Sequence, residues 1–224
     1  MRSLQVKSLQ HVAPAEQPFV SSLFHGPLAF PAAISTIVGH LPNGGITEIL
    51  GGASAGKTTL TYAIVAGALR AGGFVAWIDG ANAFDPRYAR DAGIDVGRVL
   101  WIAPTGHLSA LRATERVLDT GGFRVVVIDF GGESIQVSPR LSTAVWMRVD
   151  RAAVRRHAAI VVLDGLRAVS RFAALSLEMR AAHRIFSGED GPCPLFEGTV
   201  SNVRIRKVGS EGSDHLLTLV ATKS

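Results

Sequence analysis

Gly51-Gly52-Ala53-Ser54-Ala55-Gly56-Lys57-Thr58, entered through Ile46-Thr47-Glu48-Ile49-Leu50 and left through Thr59 to Leu69, is the stretch that decides the fold. It meets the G-x-x-x-x-G-K-[ST] pattern at every fixed position. Ile46–Leu50 reads as a short buried strand, and the Ala/Leu/Val-rich run from Thr59 to Leu69 reads as a helix closed by Gly72 and Gly73. Phosphate binding needs that order. Glycines let the backbone wrap close to the anion, while exposed N–H groups and the helix dipole attract it. The expected nucleotide-binding set is Gly51, Gly52, Ala53, Ser54, Ala55, Gly56, Lys57, Thr58 and Thr59, with Lys57 reaching the terminal phosphates and the Thr58 hydroxyl holding Mg²⁺. The competing reading is a glycine-rich turn before an ordinary helix.

Outward from this motif, apolar strands alternate with amphipathic helices. Phe74–Asp79, Val99–Ala103, Val125–Asp129 and Ile160–Asp164 are near-continuous apolar runs, as strands buried on both faces of a parallel sheet should be. Helices are expected at Pro86–Ala92, Leu108–Leu118 and Leu141–Arg156, the last after Ser138-Pro139. Leu177–Phe186, Val200–Lys207 and His215–Thr222, separated by turn residues, predict a terminal antiparallel set. Ala173–Ile185 suits either a strand or a helix. Residues 1–30, with three prolines and no sustained period, read as an N-terminal arm, leaving 31–224 as one α/β domain.

Composition agrees with a single core: 47% of the 224 residues are hydrophobic and 18% charged, too little charge for a disordered chain. No run approaches the roughly 18 unbroken apolar residues of a membrane span, and Met1–Ala13 lacks the apolar stretch of a secretory signal. The single cysteine, Cys193, excludes an intramolecular disulfide framework, so a cytoplasmic setting is expected. The net charge of +5 permits contact with nucleic acid or an acidic protein without establishing either.

A second acidic group should orient Mg²⁺, and Asp129, closing Val125-Val126-Val127-Ile128, stands where α/β sheets bind ligands. Its alternative role is a turn or cap residue. Asp79 and Asp164 end neighbouring strands in the same way, and at least one of them should be structural. Arg148, Arg151, Arg155 and Arg156 share one helical face, either as a phosphate or partner contact or, the favoured reading, as a solvated stripe. His107, His157 and His183 show no metal-ligand spacing.

Leu41-Pro42-Asn43-Gly44-Gly45-Ile46-Thr47-Glu48-Ile49, the motif ending Gly56-Lys57-Thr58-Thr59-Leu60, and Trp77-Ile78-Asp79-Gly80-Ala81-Asn82-Ala83-Phe84-Asp85-Pro86-Arg87-Tyr88-Ala89-Arg90 together resemble the RecA recombinase ATPase core. The likeness runs from about Phe30 to Thr222 and is strongest before Pro104. It implies a RecA-like P-loop core, a mainly parallel sheet flanked by helices with a terminal antiparallel extension, binding ATP and Mg²⁺. It also implies that Asp85 contacts the adenine and Tyr88 stacks on it; Tyr88 packed on the core is the alternative.

The departures from that family are specific. Its water-activating glutamate matches Ala81 here, and its glutamine that senses the γ-phosphate matches Gly165. A methyl group cannot orient water, so hydrolysis should be weak. Glu133 is a candidate substitute base and equally a loop residue. Little chain remains for the DNA-binding loops, a long N-terminal polymerisation helix is not evident, and of the intersubunit basic residues Lys207 matches one while Gly209 replaces another.

A core with these losses resembles the ImuA family, RecA-related components of bacterial damage-inducible mutagenesis. That resemblance implies action with ImuB, an inactive relative of Y-family polymerases, and with an error-prone polymerase, RecA being a further candidate partner. DNA contact should be weak or indirect, no membrane should be involved, and the protein should be a cytoplasmic monomer or heteromer, nucleoid-associated when active, in place of a filament. The alternatives are a DNA-dependent RecA/RadA-type ATPase and a SulA-like cell-division inhibitor.

Overall fold

The computed structural model describes residues 28–29, 40–131, 143–164, 169–187, 195–207 and 213–220. Most of the N-terminal arm, Glu133, Gly165 and Cys193 lie outside them. Ten strands and four helices follow in chain order among the described residues. They are β1 (Leu28–Ala29), β2 (His40–Leu41), β3 (Ile46–Gly51), α1 (Lys57–Arg70), β4 (Phe74–Asp79), α2 (Pro86–Asp91) and β5 (Val99–Ile102). Then come α3 (His107–Thr120), β6 (Phe123–Asp129), α4 (Thr143–Arg156), β7 (Ala159–Leu163), β8 (Ala173–Ser187), β9 (Leu195–Lys207) and β10 (Ser213–Val220). β1 and β2 form a small antiparallel pair.

The main sheet has the order β10-β9-β8-β3-β7-β6-β4-β5. β8, β3, β7, β6, β4 and β5 run parallel, while β9 and β10 are antiparallel to their neighbours. Alternation along each strand divides the core in two, because successive side chains leave opposite faces. Ile49, Val75, Trp77, Val127, Val161 and Leu177 pack on one face with Leu60, Ile64 and Val65 of α1. Ile46, Ala76, Ile78, Val126, Ile128 and Val162 pack on the other with Leu111 and Leu118 of α3 and Trp146 and Val149 of α4. Helices therefore cover both faces, and the strand ends converge on one rim.

The ambiguous segment Ala173–Ile185 belongs to a strand. Its pairing decides this: β8 lies parallel to β3 on one side and antiparallel to β9 on the other, so only β9 and β10 make the antiparallel extension. Ala173, Leu175, Leu177 and Met179 are buried and the residues between them are not, a period of two that overrides the helix-compatible composition.

Candidate phosphate-binding site

The loop between β3 and α1 is shaped by two glycines. A Cβ on Gly51 would come 2.4 Å from the Met179 carbonyl oxygen of β8, so the backbone approach there needs glycine. Gly56, at φ 87°, turns the chain into α1 from a left-handed conformation that a side chain would strain. No side chain caps α1 and no acidic residue lies in its first turn, which leaves its N–H groups and dipole facing outward for an anion. Gly52, Ala53, Ser54 and Thr58 are exposed, while Ala55 is buried and Gly56, Lys57 and Thr59 are half-buried. The loop is also tied to β9, two strands away: the buried Ser201 hydroxyl donates to the Ala55 carbonyl at 2.8 Å.

Lys57 lies at the rim with its ammonium donating to the Gly51 carbonyl at 2.5 Å and to the Asp164 carboxylate. Asp164 is the residue after β7 and adopts a left-handed φ of 48°. Its N–H donates to Ile49 O at 3.0 Å. Leu163 is in register with both Ile49 and Asp129, so this carboxylate emerges between β3 and β6.

The three strand-end aspartates have separate structural positions. Asp79 is structural: its carboxylate accepts from Ala83 N at 2.9 Å, Phe84 N at 3.1 Å and Trp101 Nε1 at 3.1 Å, which fixes the loop after β4. Asp129, in register with Asp79, accepts from Gly131 N at 3.0 Å. Burial pushes its carboxyl up from 3.8 to about 6, with the negative charges of Asp79 and Asp164 adding to the rise and the Gly131 N–H and Lys57 opposing it. Asp164 is paired with Lys57. The position expected to carry a catalytic glutamate, Ala81, faces Asp129's loop; a Cβ on Gly131 would lie 2.8 Å from the Ala81 methyl.

Asp85 and Tyr88 start α2, as Pro86 in the first turn predicted. Asp85 caps the helix, its Oδ1 accepting from Arg87 N at 2.8 Å and Tyr88 N at 3.4 Å. Tyr88 is not wholly packed on the core: its ring lies 5.7 Å from that of Tyr62, yet the residue is 44% exposed. Tyr62 joins Trp77, Phe84 and Trp101 in an aromatic cluster beneath it, and burial raises its hydroxyl to about 12.

The arginine stripe is partly structural. Arg148 pairs with Glu115 at 2.8 Å and Arg156 donates to the Asp119 carbonyl at 2.5 Å, both joining α4 to α3; Arg151 and Arg155 are exposed. On β8, Glu178 is held below its ordinary range by a hydrogen bond from Arg180 and by the charges of Arg206 and Arg204, so the β9 arginines face a carboxylate. The Lys57–Asp164 and Ser201–Ala55 contacts were not read from sequence. Among the described residues no three His, Cys, Asp or Glu side chains are grouped to hold a metal, and no helix is long and apolar enough to cross a membrane.

Residues 4–139 match the RecA N-terminal domain model. The chain belongs to that family. The matched span takes in most of the arm set apart in the sequence reading and ends beyond β6. Among individual proteins, it is 40% identical to protein RecA of Chlorobium chlorochromatii over 110 residues, 49% of this chain and 31% of that one. Against protein RecA of Symbiobacterium thermophilum the identity is 28% over 196 residues, 74% of this chain and 55% of that one. The chain thus spans about a third to about a half of the length of these RecA relatives. The crystal structure of the RadB recombinase superposes with a TM-score of 0.63 and 15% identity, covering 85% of this chain and 94% of that one. That likeness shows the shared RecA/RadB-like α/β fold.

Proposed function

We propose that this RecA-family protein binds ATP·Mg²⁺, hydrolyses it slowly, and acts as an accessory factor in damage-induced translesion DNA synthesis, in the manner of ImuA. The observation carrying the reading is an entire phosphate cradle beside a missing base: Lys57 and the uncapped α1 N-terminus stand at the rim, while a methyl group occupies position 81. The residues fit the nucleotide. Gly51 to Thr59 would hold its phosphates, Tyr88 the base, and Thr58 with Asp129 the Mg²⁺, whose own chemistry is to neutralise phosphate charge. A divalent cation would relieve the burial that pushes the Asp129 carboxyl up to about 6. Asp85 would meet the base through its backbone and its remaining carboxylate oxygen, since Oδ1 serves the cap.

The partner in this reading is an inactive Y-family polymerase relative, with an error-prone polymerase, and RecA itself, in the same assembly. DNA contact is weak or indirect, which the pairing of Arg148 and Arg156 within the fold supports. The protein works in the cytoplasm as a monomer or heteromer. Two measurements test this. ATP turnover should fall well below that of an intact RecA under the same conditions, and the polymerase relative should co-purify at moderate salt. An equal turnover rate refutes the hydrolysis claim, and absence of the complex refutes the accessory role.

The second reading, a RecA/RadA-type recombinase, draws support from the RecA identities and the RadB-like fold. Regular filaments on single-stranded DNA with ATP, seen by electron microscopy, would establish it over the first. A SulA-like inhibitor is disfavoured by the intact lysine and threonine of the loop.

A further inference from the structure

Lys57 has three N–H donors, and two of them are engaged, one by the Gly51 carbonyl and one by Asp164. The pair is largely enclosed, with 14% and 15% of the two side chains exposed, so water screens it weakly. Asp164 is not a loosely placed surface acid. Its backbone is fixed in a left-handed conformation by the hydrogen bond to Ile49, and Leu163 before it is locked into the sheet on both sides. A phosphate that reaches Lys57 therefore has to compete with this carboxylate for the ammonium and to sit within a few ångströms of a second negative charge.

We propose that Asp164 sets the phosphate preference of the site, holding Lys57 away from incoming phosphate and opposing the terminal phosphate of a triphosphate more than it opposes a diphosphate. The inference rests on the nucleotide-binding reading above and deepens it. The argument is electrostatic. Lys57 of such a loop serves the β- and γ-phosphates. A nucleoside triphosphate brings one more charged group to the same rim than a diphosphate does, and like charges a few ångströms apart in a poorly screened site repel appreciably. Asp129 differs in kind, because Mg²⁺ would neutralise it; Asp164 is already committed to the lysine.

Asp164→Asn keeps the size of the side chain and an oxygen for Lys57 while removing the charge. Calorimetric titration of the full chain with ATP and with ADP, each with Mg²⁺, should show ATP binding tightened by about tenfold and ADP by about two- to threefold, a discrimination on the scale of a single partly buried charge. Asp164→Gly, which suits the left-handed backbone, should move affinities in the same direction and guards against a folding artefact in the first variant. ATP binding unchanged or weakened in both variants, or an equal gain for both nucleotides, overturns the proposal while leaving nucleotide binding intact. Binding by the variants alone would support it. No binding by wild type or either variant would bring down the nucleotide reading and this inference with it.

Discussion

Asp129→Asn should make the protein more stable and its nucleotide binding worse. Asp129 is 8% exposed, and its carboxyl titrates in the folded chain at about 6 against an ordinary 3.8. A raised acid pKa means that the folded state binds the proton more tightly than the unfolded one does. The penalty is absent below about pH 4, grows between about pH 4 and 6, and is fully present above about pH 7. The rise from 3.8 to about 6, at about 1.36 kcal/mol per pH unit, corresponds to about 3 kcal/mol, the cost of holding this carboxylate charged in the fold. Asparagine resembles the protonated form and keeps an oxygen for the Gly131 N–H, so at pH 8 most of that cost should disappear.

For a domain of this size about 3 kcal/mol corresponds to roughly 6–12 °C in melting temperature. Thermal unfolding from pH 4 to 8, followed through Trp77 and Trp146 in the two cores, is the assay. The variant should melt higher than wild type at pH 8, and the gap should close towards pH 4. ATP with Mg²⁺ should narrow the gap at pH 8, since the cation would offset the charge only where the carboxylate is present. A gap that is absent, or that does not change with pH, would refute the electrostatic account of Asp129.

Lys57→Ala should weaken ATP binding by roughly 2–3 kcal/mol, the worth of charge-assisted hydrogen bonds, and titration with a fluorescent ATP analogue reads it directly. Gly51→Ala should lower stability by roughly 1–3 kcal/mol, because the added methyl meets a β8 carbonyl at 2.4 Å; chemical denaturation measures the loss. Ala81→Glu should raise steady-state ATP turnover, and no gain would mean that the residues replacing the family's glutamine and loops limit the rate instead. Tyr88→Ala should weaken binding of ATP more than of inorganic triphosphate, with equal losses arguing against base stacking.

The parts of the fold legible in sequence are those whose signals are local. Phe74–Asp79 was readable to the residue because five apolar side chains precede an acid that ends the strand, and α2 because Asp85-Pro86 is a cap followed by a proline at the first helical position. Strand β8 was not, since Ala, Leu, Glu and Met suit a helix and its identity comes from pairing with β3 and β9. The alternation of Leu175, Leu177 and Met179 was a signal that pointed the right way. In the site, the phosphate loop was legible from spacing. The Lys57–Asp164 pair spans 107 positions and exists only because β7 lies beside β3, while Ser201 reaches Ala55 across 146 positions. Pattern along a chain does not report strand order, so such contacts stay hidden until the sheet is known.

Strand order also separates the three rim carboxylates by what already compensates them. Asp79, Asp129 and Asp164 look equivalent in sequence, each closing an apolar strand. Asp79 is satisfied by three N–H donors and Asp164 by the lysine, which leaves both already compensated. Asp129 has neither kind of compensation: buried, it has the Gly131 N–H, two negative neighbours and a carboxyl pushed up to about 6. A buried carboxylate in that position is costly until a positive charge arrives, and the rim's lysine is held by Asp164. On the proposed reading, the pairing that would withhold Lys57 from phosphate would also leave Asp129 for Mg²⁺, and the two effects should separate experimentally, Asp129→Asn acting on the Mg²⁺ dependence of binding and Asp164→Asn on the preference between ATP and ADP.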